Sequence, residues 1–238
     1  MDVARIFVAI AAYNRRRLAE LCIPTVRDGM KHGEDALVLY DDGSTEPMHD
    51  SSIIVSECDG IVSCESMGID AQRRKHILEF WGNREIHGCS HLYLCDADAP
   101  HDILWRETAL ALQAEYKAPV CLYRTQTHAD YVNNIFRDEP SERVIWQRFS
   151  PGVSLLLDMQ MVERVAKHMP ETWAWDWAIA GMLGHKMAVS RMSLCDHISR
   201  GGLHHDGSDG YDGGDRATNP TPWLEEKRRE IVSCLTTS

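Results

Sequence analysis

His91-Leu92-Tyr93-Leu94-Cys95, followed at once by Asp96-Ala97-Asp98, is the stretch on which the reading turns. The run is short, apolar and without helical spacing, as in a strand buried on both faces. Two carboxylates then stand at its carboxyl end, two residues apart, where they can jointly face a crevice. A hard divalent cation needs oxygen ligands of this kind, and such a cation can bridge the diphosphate of a nucleotide. Taken alone, an Asp-x-Asp is common, and a solvated turn broken by Pro100 would also account for it.

The same arrangement recurs upstream. Ile6–Ala11 is a second continuous apolar run, ended by Tyr13-Asn14-Arg15. A ring there can stack on a base; a helix start with Asn14 as N-cap is the alternative. Ala36–Tyr40 is a third run, stopped by Asp41-Asp42-Gly43-Ser44-Thr45, where a carboxylate can accept hydrogen bonds from a base or a ribose. A tight turn capped by Asp and Ser explains the same residues. Ser52–Ser56 reads as a weaker strand and Val120–Tyr123 as a further one. Helical patterns cover Arg16–Met30, bent or broken near Pro24, then Ile69–Trp81 and Leu104–Tyr116. This alternation predicts a single α/β domain, a Rossmann-type mostly parallel sheet flanked by helices, with ligands at the carboxyl ends of its strands.

The second half is less regular. Residues Thr125–Arg143 look like an inserted loop region. Val144–Gln147, Val153–Leu157 and Met192–Asp196 read as strands, and Met159–His168, Thr172–Gly184 and Trp223–Leu235 as helices. Gly201–Pro222, rich in Gly, Asp and His, reads as a long loop.

The chain has 238 residues and is 44% hydrophobic, enough for a sizeable core. Its net charge of −11 argues against a broad basic surface for phosphate backbones. No two of the eight cysteines are spaced as Cys-x-x-Cys, so a zinc ribbon is not expected; buried, reduced thiols suit a cytoplasmic protein. No apolar run approaches the length of a membrane span, and Ile6–Ala12 is too short for a signal peptide.

The three acidic or polar turns occur in order, each after an apolar strand. In this the chain resembles the nucleotide-diphospho-sugar transferases of the GT-A fold, in particular the large family-two-like group. The matching segments are Val8–Arg15, Asp41–Thr45 and Tyr93–Asp98, with Gly68-Ile69-Asp70-Ala71-Gln72-Arg73 between the last two. Gly152–Leu156 and Trp175-Asp176-Trp177 continue the likeness more loosely. It implies a nucleotide-binding half over residues 1–98 and an acceptor-binding half over 99–238. It implies donor contacts from Ala12, Tyr13, Asn14, Arg15, Asp41, Asp42, Gly68, Arg73, Asp96 and Ala97. It also implies Mn²⁺ or Mg²⁺ held by Asp96 and Asp98, a late histidine ligand, best matched by His197, and Asp176 as the catalytic base. The donor implied is a nucleotide sugar, most often a UDP-sugar. The chain departs from the pattern at Trp175, where a Glu usually precedes the Asp, and at Arg74, where an Asn is usual. Arg74 and Lys75 either add positive charge near the diphosphate or form a solvated helix face.

Three further features are read from the residues. His204 and His205 can reach the acceptor or the metal, or lie in solvent. The glycine-rich 201–222 loop reads either as a lid that orders over the donor or as a plain disordered loop. Among Trp173, Trp175 and Trp177, the first and last share a helix face, which leaves Trp175 as a platform for a sugar acceptor.

Other classes fit less well. A sugar-nucleotide nucleotidyltransferase carries a Gly-rich, Lys-ended first loop, where this chain has Ala11-Ala12-Tyr13-Asn14. A dinucleotide oxidoreductase needs G-x-G-x-x-G after the first strand. A non-catalytic nucleotide-sugar-binding protein would not need both the Asp-x-Asp and Asp176. The acceptor hydroxyl is open: a saccharide, a small metabolite or a modified DNA base, with nucleic acid entering only as acceptor and disfavoured by the acidic charge.

Overall fold

The computed structural model describes residues 4–126, 134–136, 141–171, 174–198 and 216–236. In chain order the elements are β1 (Ile6–Ala12), α1 (Arg16–Asp28), β2 (Ala36–Asp41), α2 (Ser52–Glu57), β3 (Gly60–Ser63), α3 (Ile69–Gly82), α4 (Arg84–His87) and β4 (His91–Asp96). Then come α5 (Trp105–Tyr116), β5 (Val120–Cys121), β6 (Val144–Gln147), β7 (Ser154–Asp158), α6 (Met159–His168), α7 (Trp175–Met182), β8 (Met187–Ser190) and α8 (Pro222–Thr236).

The strands form one mixed sheet in the order β3-β2-β1-β4-β7-β5-β8-β6. β1 lies between parallel β2 and β4, and β2 pairs in parallel with β3. β7 then runs antiparallel to both β4 and β5, so the strongly parallel part ends at β4. The side chains alternate as a pleated strand requires. Ile6, Val8 and Ile10 enter one buried layer with Ile23 of α1, Ile54 of α2 and Trp105 of α5. Phe7 and Ala9 face the other layer, with Phe80 of α3, Val162 of α6 and Ile179 of α7. Cys22, Cys89, Cys95, Cys121 and Cys195 are buried thiols.

A polar chain crosses this core under β4. Leu122 N–H donates to Ser154 Oγ (3.2 Å), Ser154 Oγ lies 2.7 Å from Tyr93 Oη, and Tyr93 Oη lies 2.7 Å from His101 Nε2. His101 Nδ1 in turn is 2.8 Å from the Ala99 carbonyl, to which it donates. Burial lowers the His101 pKa to about 4, so the ring is neutral and every donor in the chain has an acceptor.

Four elements differ from the sequence reading. Ser52–Ser56 is helical: Ser51 accepts the Ile54 N–H as N-cap, and only Ile54 turns inward while Ile53 and Val55 stay exposed. The third strand is instead the short Gly60–Ser63. Met192–Asp196 forms only isolated bridges, and the strand is the fully buried Met187–Ser190 just before it. Finally, α1 is not broken at Pro24 but runs on through it as one helix.

Candidate functional site

The carboxyl ends of β1, β2 and β4 lie side by side. Ala11 is in register with Asp96, and the ladder runs on past the strand ends: Ala97 N–H donates to Ala11 O (2.9 Å) and Asp42 N–H to Ala12 O (2.8 Å). Ala12 and Ala97 are buried, which lets the polar turns on either side close over the strand ends.

His197 reaches this edge from far along the chain. The segment 195–198 zips against 98–101: Cys195 bridges His101, Asp196 N–H donates to Pro100 O (3.1 Å), and Ile198 N–H donates to Asp98 O (3.2 Å). That short ribbon sets the imidazole beside Asp98, with Nε2 at 3.2 Å from Oδ1. Asp96, Asp98 and His197 each offer one ligand atom, all within 4.8 Å of one another. The next residue back is anchored as well: Asp196 accepts the His197 and Ala217 N–H groups (2.9 and 2.8 Å) and pairs with Arg228 of α8. Sequence reasoning missed this clamp. Arg228 lies in a helix of ordinary amphipathic pattern, and nothing local marks it.

The carboxylates gather positive charge. Arg15 Nη1 sits 2.5 Å from Asp98 Oδ2, and Arg73 pairs with Asp96. Burial alone would lower the His197 pKa, but the charges of Asp98 and Asp96 and the bond to Asp98 outweigh it and raise it to about 9. Asp96 itself is raised above the usual carboxylate range, first by burial and then by Asp98, against the pull of Arg73. Two carboxylates and an imidazole are the donor set of a divalent cation such as Mn²⁺. The negative charge of Asp96 and Asp98 is balanced here by Arg15, Arg73 and His197.

Arg73 is an exception to the expected donor contacts. It is fully buried beneath the site, where its guanidinium donates to Cys95 O (2.7 Å) and Ala9 O (3.2 Å) and lies 5.2 Å from the Trp175 ring centre. It holds β1, β4 and Asp96 together and has no exposure to a ligand. Arg74 and Lys75 instead line a separate cleft of about 350 Å³ with Met67, Ala71 and Glu171; Asp96, Asp98 and His197 are not in it.

The second acidic turn is also largely spent on its own backbone. Asp41 accepts from Ser44 and Met48 N–H (3.0 and 3.1 Å), and Asp42 from Met67 and Gly68 N–H (2.8 and 2.9 Å). Gly68, at φ 79° and ψ 158°, caps α3 in a conformation that other residues avoid. Asn14 and Arg15 both adopt positive φ (53° and 59°), a strained pair for non-glycine residues. Asn14 Oδ1 accepts the Thr45 N–H (2.9 Å), which ties the first turn to the second and leaves Tyr13 exposed between them.

Asp176 lies in the first turn of α7, half-buried, with Oδ1 accepting the Trp177 N–H (2.9 Å). Burial raises its pKa, and the charges of Asp70 and Asp96 add to the effect, against that hydrogen bond. Asp70, at the start of α3, accepts the Trp175 N–H (3.0 Å) and so joins the two helix starts. Trp175 is not the exposed platform expected. It is 6% exposed, and its ring lies so close to Gly152 that a Cβ there would come within 2.3 Å of it. Trp177 is the exposed ring instead. Trp173, His204, His205 and most of the 201–222 loop fall outside the described residues.

No protein-family model matches the sequence, and no curated protein matches it. Solved structures do match the fold. S. aureus TarS (residues 1–349) in complex with UDP-GlcNAc superposes with a TM-score of 0.61 at 14% identity, covering 98% of this chain and 66% of that one. The mannosyltransferase PcManGT from Pyrobaculum calidifontis, in complex with GDP-Man and Mn²⁺, superposes with a TM-score of 0.54 at 16% identity, over 86% of this chain and 60% of that one. The chain therefore spans somewhat less than two thirds of these two structures, and it shares with them the GT-A-like α/β fold.

Proposed function

We propose that the chain is a metal-dependent glycosyltransferase that moves a sugar from a nucleotide-sugar donor to an acceptor hydroxyl. The observation that carries this is the cluster of Asp96, Asp98 and His197 at the strand ends of a fold shared with proteins that hold UDP-GlcNAc, or GDP-Man with Mn²⁺. A UDP-sugar is the preferred donor. When bound, Mn²⁺ or Mg²⁺ would neutralise charge developing on the departing diphosphate.

The protein's own groups do the rest. The exposed Tyr13 ring stacks on the base. Asn14, Arg15 and the Asp41–Asp42 turn shape the nucleoside end, with Asp42 and Gly68 holding the loop between β3 and α3. Asp176 accepts the acceptor's hydroxyl proton as that oxygen bonds to the anomeric carbon and the bond from that carbon to the diphosphate breaks, an inverting displacement. Its raised pKa makes it a better proton acceptor than an ordinary surface carboxylate. Residues 1–98 supply the donor side and residues 99–238 the acceptor side.

Thermal unfolding with UDP or GDP tests this. Either nucleotide should raise the melting temperature with Mn²⁺ present and fail to do so in EDTA. A shift of equal size in EDTA would remove the metal from the reading. The Asp176→Asn variant should keep the nucleotide shift and lose roughly 10²–10⁴-fold in turnover, the usual scale for a lost general base; near-normal turnover would reassign Asp176.

A further inference from the structure

Trp177 follows Asp176 directly in the first turn of α7, and its backbone N–H is bonded to the Asp176 carboxylate. It is 49% exposed, although tryptophan is the costliest side chain to leave in water. One face of the indole is already used: the Phe149 ring stacks on it with centroids 3.9 Å apart and planes 23° from parallel. Phe149 is itself buried, and its N–H donates to Oδ1 of buried Asn134 (3.2 Å). An anchored ring therefore backs an exposed one, which leaves the outer indole face as a flat, rigid surface.

That surface is tied to the acidic cluster through the preceding turn. Trp175 N–H is bonded to Asp70, the Trp175 ring lies against Arg73, and Arg73 pairs with Asp96. We propose that Trp177, backed by Phe149, is the platform on which a pyranose acceptor stacks so that one of its hydroxyls meets Asp176; this rests on the glycosyltransferase reading above. The axial C–H groups of a pyranose carry slight positive charge and pack on the electron-rich face of an indole, while the ring's hydroxyls point outward to hydrogen-bonding partners. A nucleobase would stack as well, but the chain's net charge of −11 opposes a polyanionic strand.

The test measures nucleoside diphosphate release from UDP-GlcNAc and from GDP-Man, with Mn²⁺, across a panel of methyl pyranosides and free nucleosides. At least one pyranoside should accelerate release by the wild-type protein. Trp177→Ala should raise the KM for that pyranoside tenfold or more, with the saturated rate and the calorimetric affinity for the nucleoside diphosphate moving far less. Trp177→Phe, which keeps a ring, should restore most of the lost affinity. An unchanged KM in Trp177→Ala overturns the proposal, as does a loss that Phe does not rescue. Acceleration by nucleosides and by no pyranoside also overturns it. Wild-type protein that releases no nucleoside diphosphate from either donor overturns the parent reading instead.

Discussion

Two acidic turns, Asp41-Asp42 after β2 and Asp96-Ala97-Asp98 after β4, look alike in sequence and stand at neighbouring strand ends. Their oxygens meet different partners. The first pair accepts backbone N–H groups from Ser44, Met48, Met67 and Gly68. The second faces cationic side chains, Arg15, Arg73 and His197. A backbone donor is part of the chain's path and cannot be exchanged without unfolding the turn. A side-chain cation can give way to a metal ion. The difference separates a carboxylate fixed by its own backbone from one left to side-chain partners, and it rests on donor type, since Asp42 and Asp98 are buried to about the same extent.

Substitutions can break or sharpen this contrast. The largest effect is expected at Asp98. Asp98→Ala should remove the Mn²⁺ response and lower sugar transfer by about 10²-fold or more, because a metal-held leaving group is worth several kcal/mol; a metal titration of nucleoside diphosphate release checks this. If the variant still answers to Mn²⁺, the cluster is an ion-pair network only.

Asp42→Ala should act on stability instead. It strands two N–H groups at a buried turn, at a cost of about 3 kcal/mol. For a chain of this size the melting temperature should fall by roughly 10 °C, read by calorimetry. What folds should still bind Mn²⁺ normally, and loss of metal affinity with unchanged melting would reverse the assignments of the two turns.

The smallest effect is expected at Arg15. Its guanidinium competes with any cation for Asp98, so Arg15→Gln should tighten Mn²⁺ binding in the absence of nucleotide by about threefold to tenfold, on the order of 1 kcal/mol of lost repulsion. Weaker Mn²⁺ binding in the variant would make Arg15 a support of the metal site rather than a competitor. Calorimetric titration of the metal alone distinguishes the two.

The periodicity of apolar residues was enough to place β1, β2 and β4, because strands buried on both faces are continuous runs that few other structures produce. The turns after them were readable for the same reason: each begins where the apolar run stops. Reading weakened where burial and local pattern part company. Ile53 and Val55 favour a strand by type, yet a single capping serine makes that segment a helix. Trp175 and Trp177 are chemically identical and two residues apart, and a helix turned by some 200° between them sends one into the core and the other to solvent.

The sequence by itself determined the parallel front of the sheet and the three polar turns, with Asp96 and Asp98 in one of them, since each depends on residue type and spacing within a short segment; His197 entered as a candidate only through the family resemblance. Tertiary structure alone decided what those residues touch. Arg73 could be read as a cation near a phosphate, but only the packing of α3 across β1 and β4 shows its guanidinium closed in by Ala9 O, Cys95 O and Asp96. Arg15 and Asp98 are far apart in the chain, and Arg228 and Asp196 lie on separate elements that meet only after folding. A buried charge is set by whatever the fold brings within a few ångströms of it, and short-range sequence pattern carries no record of that distance.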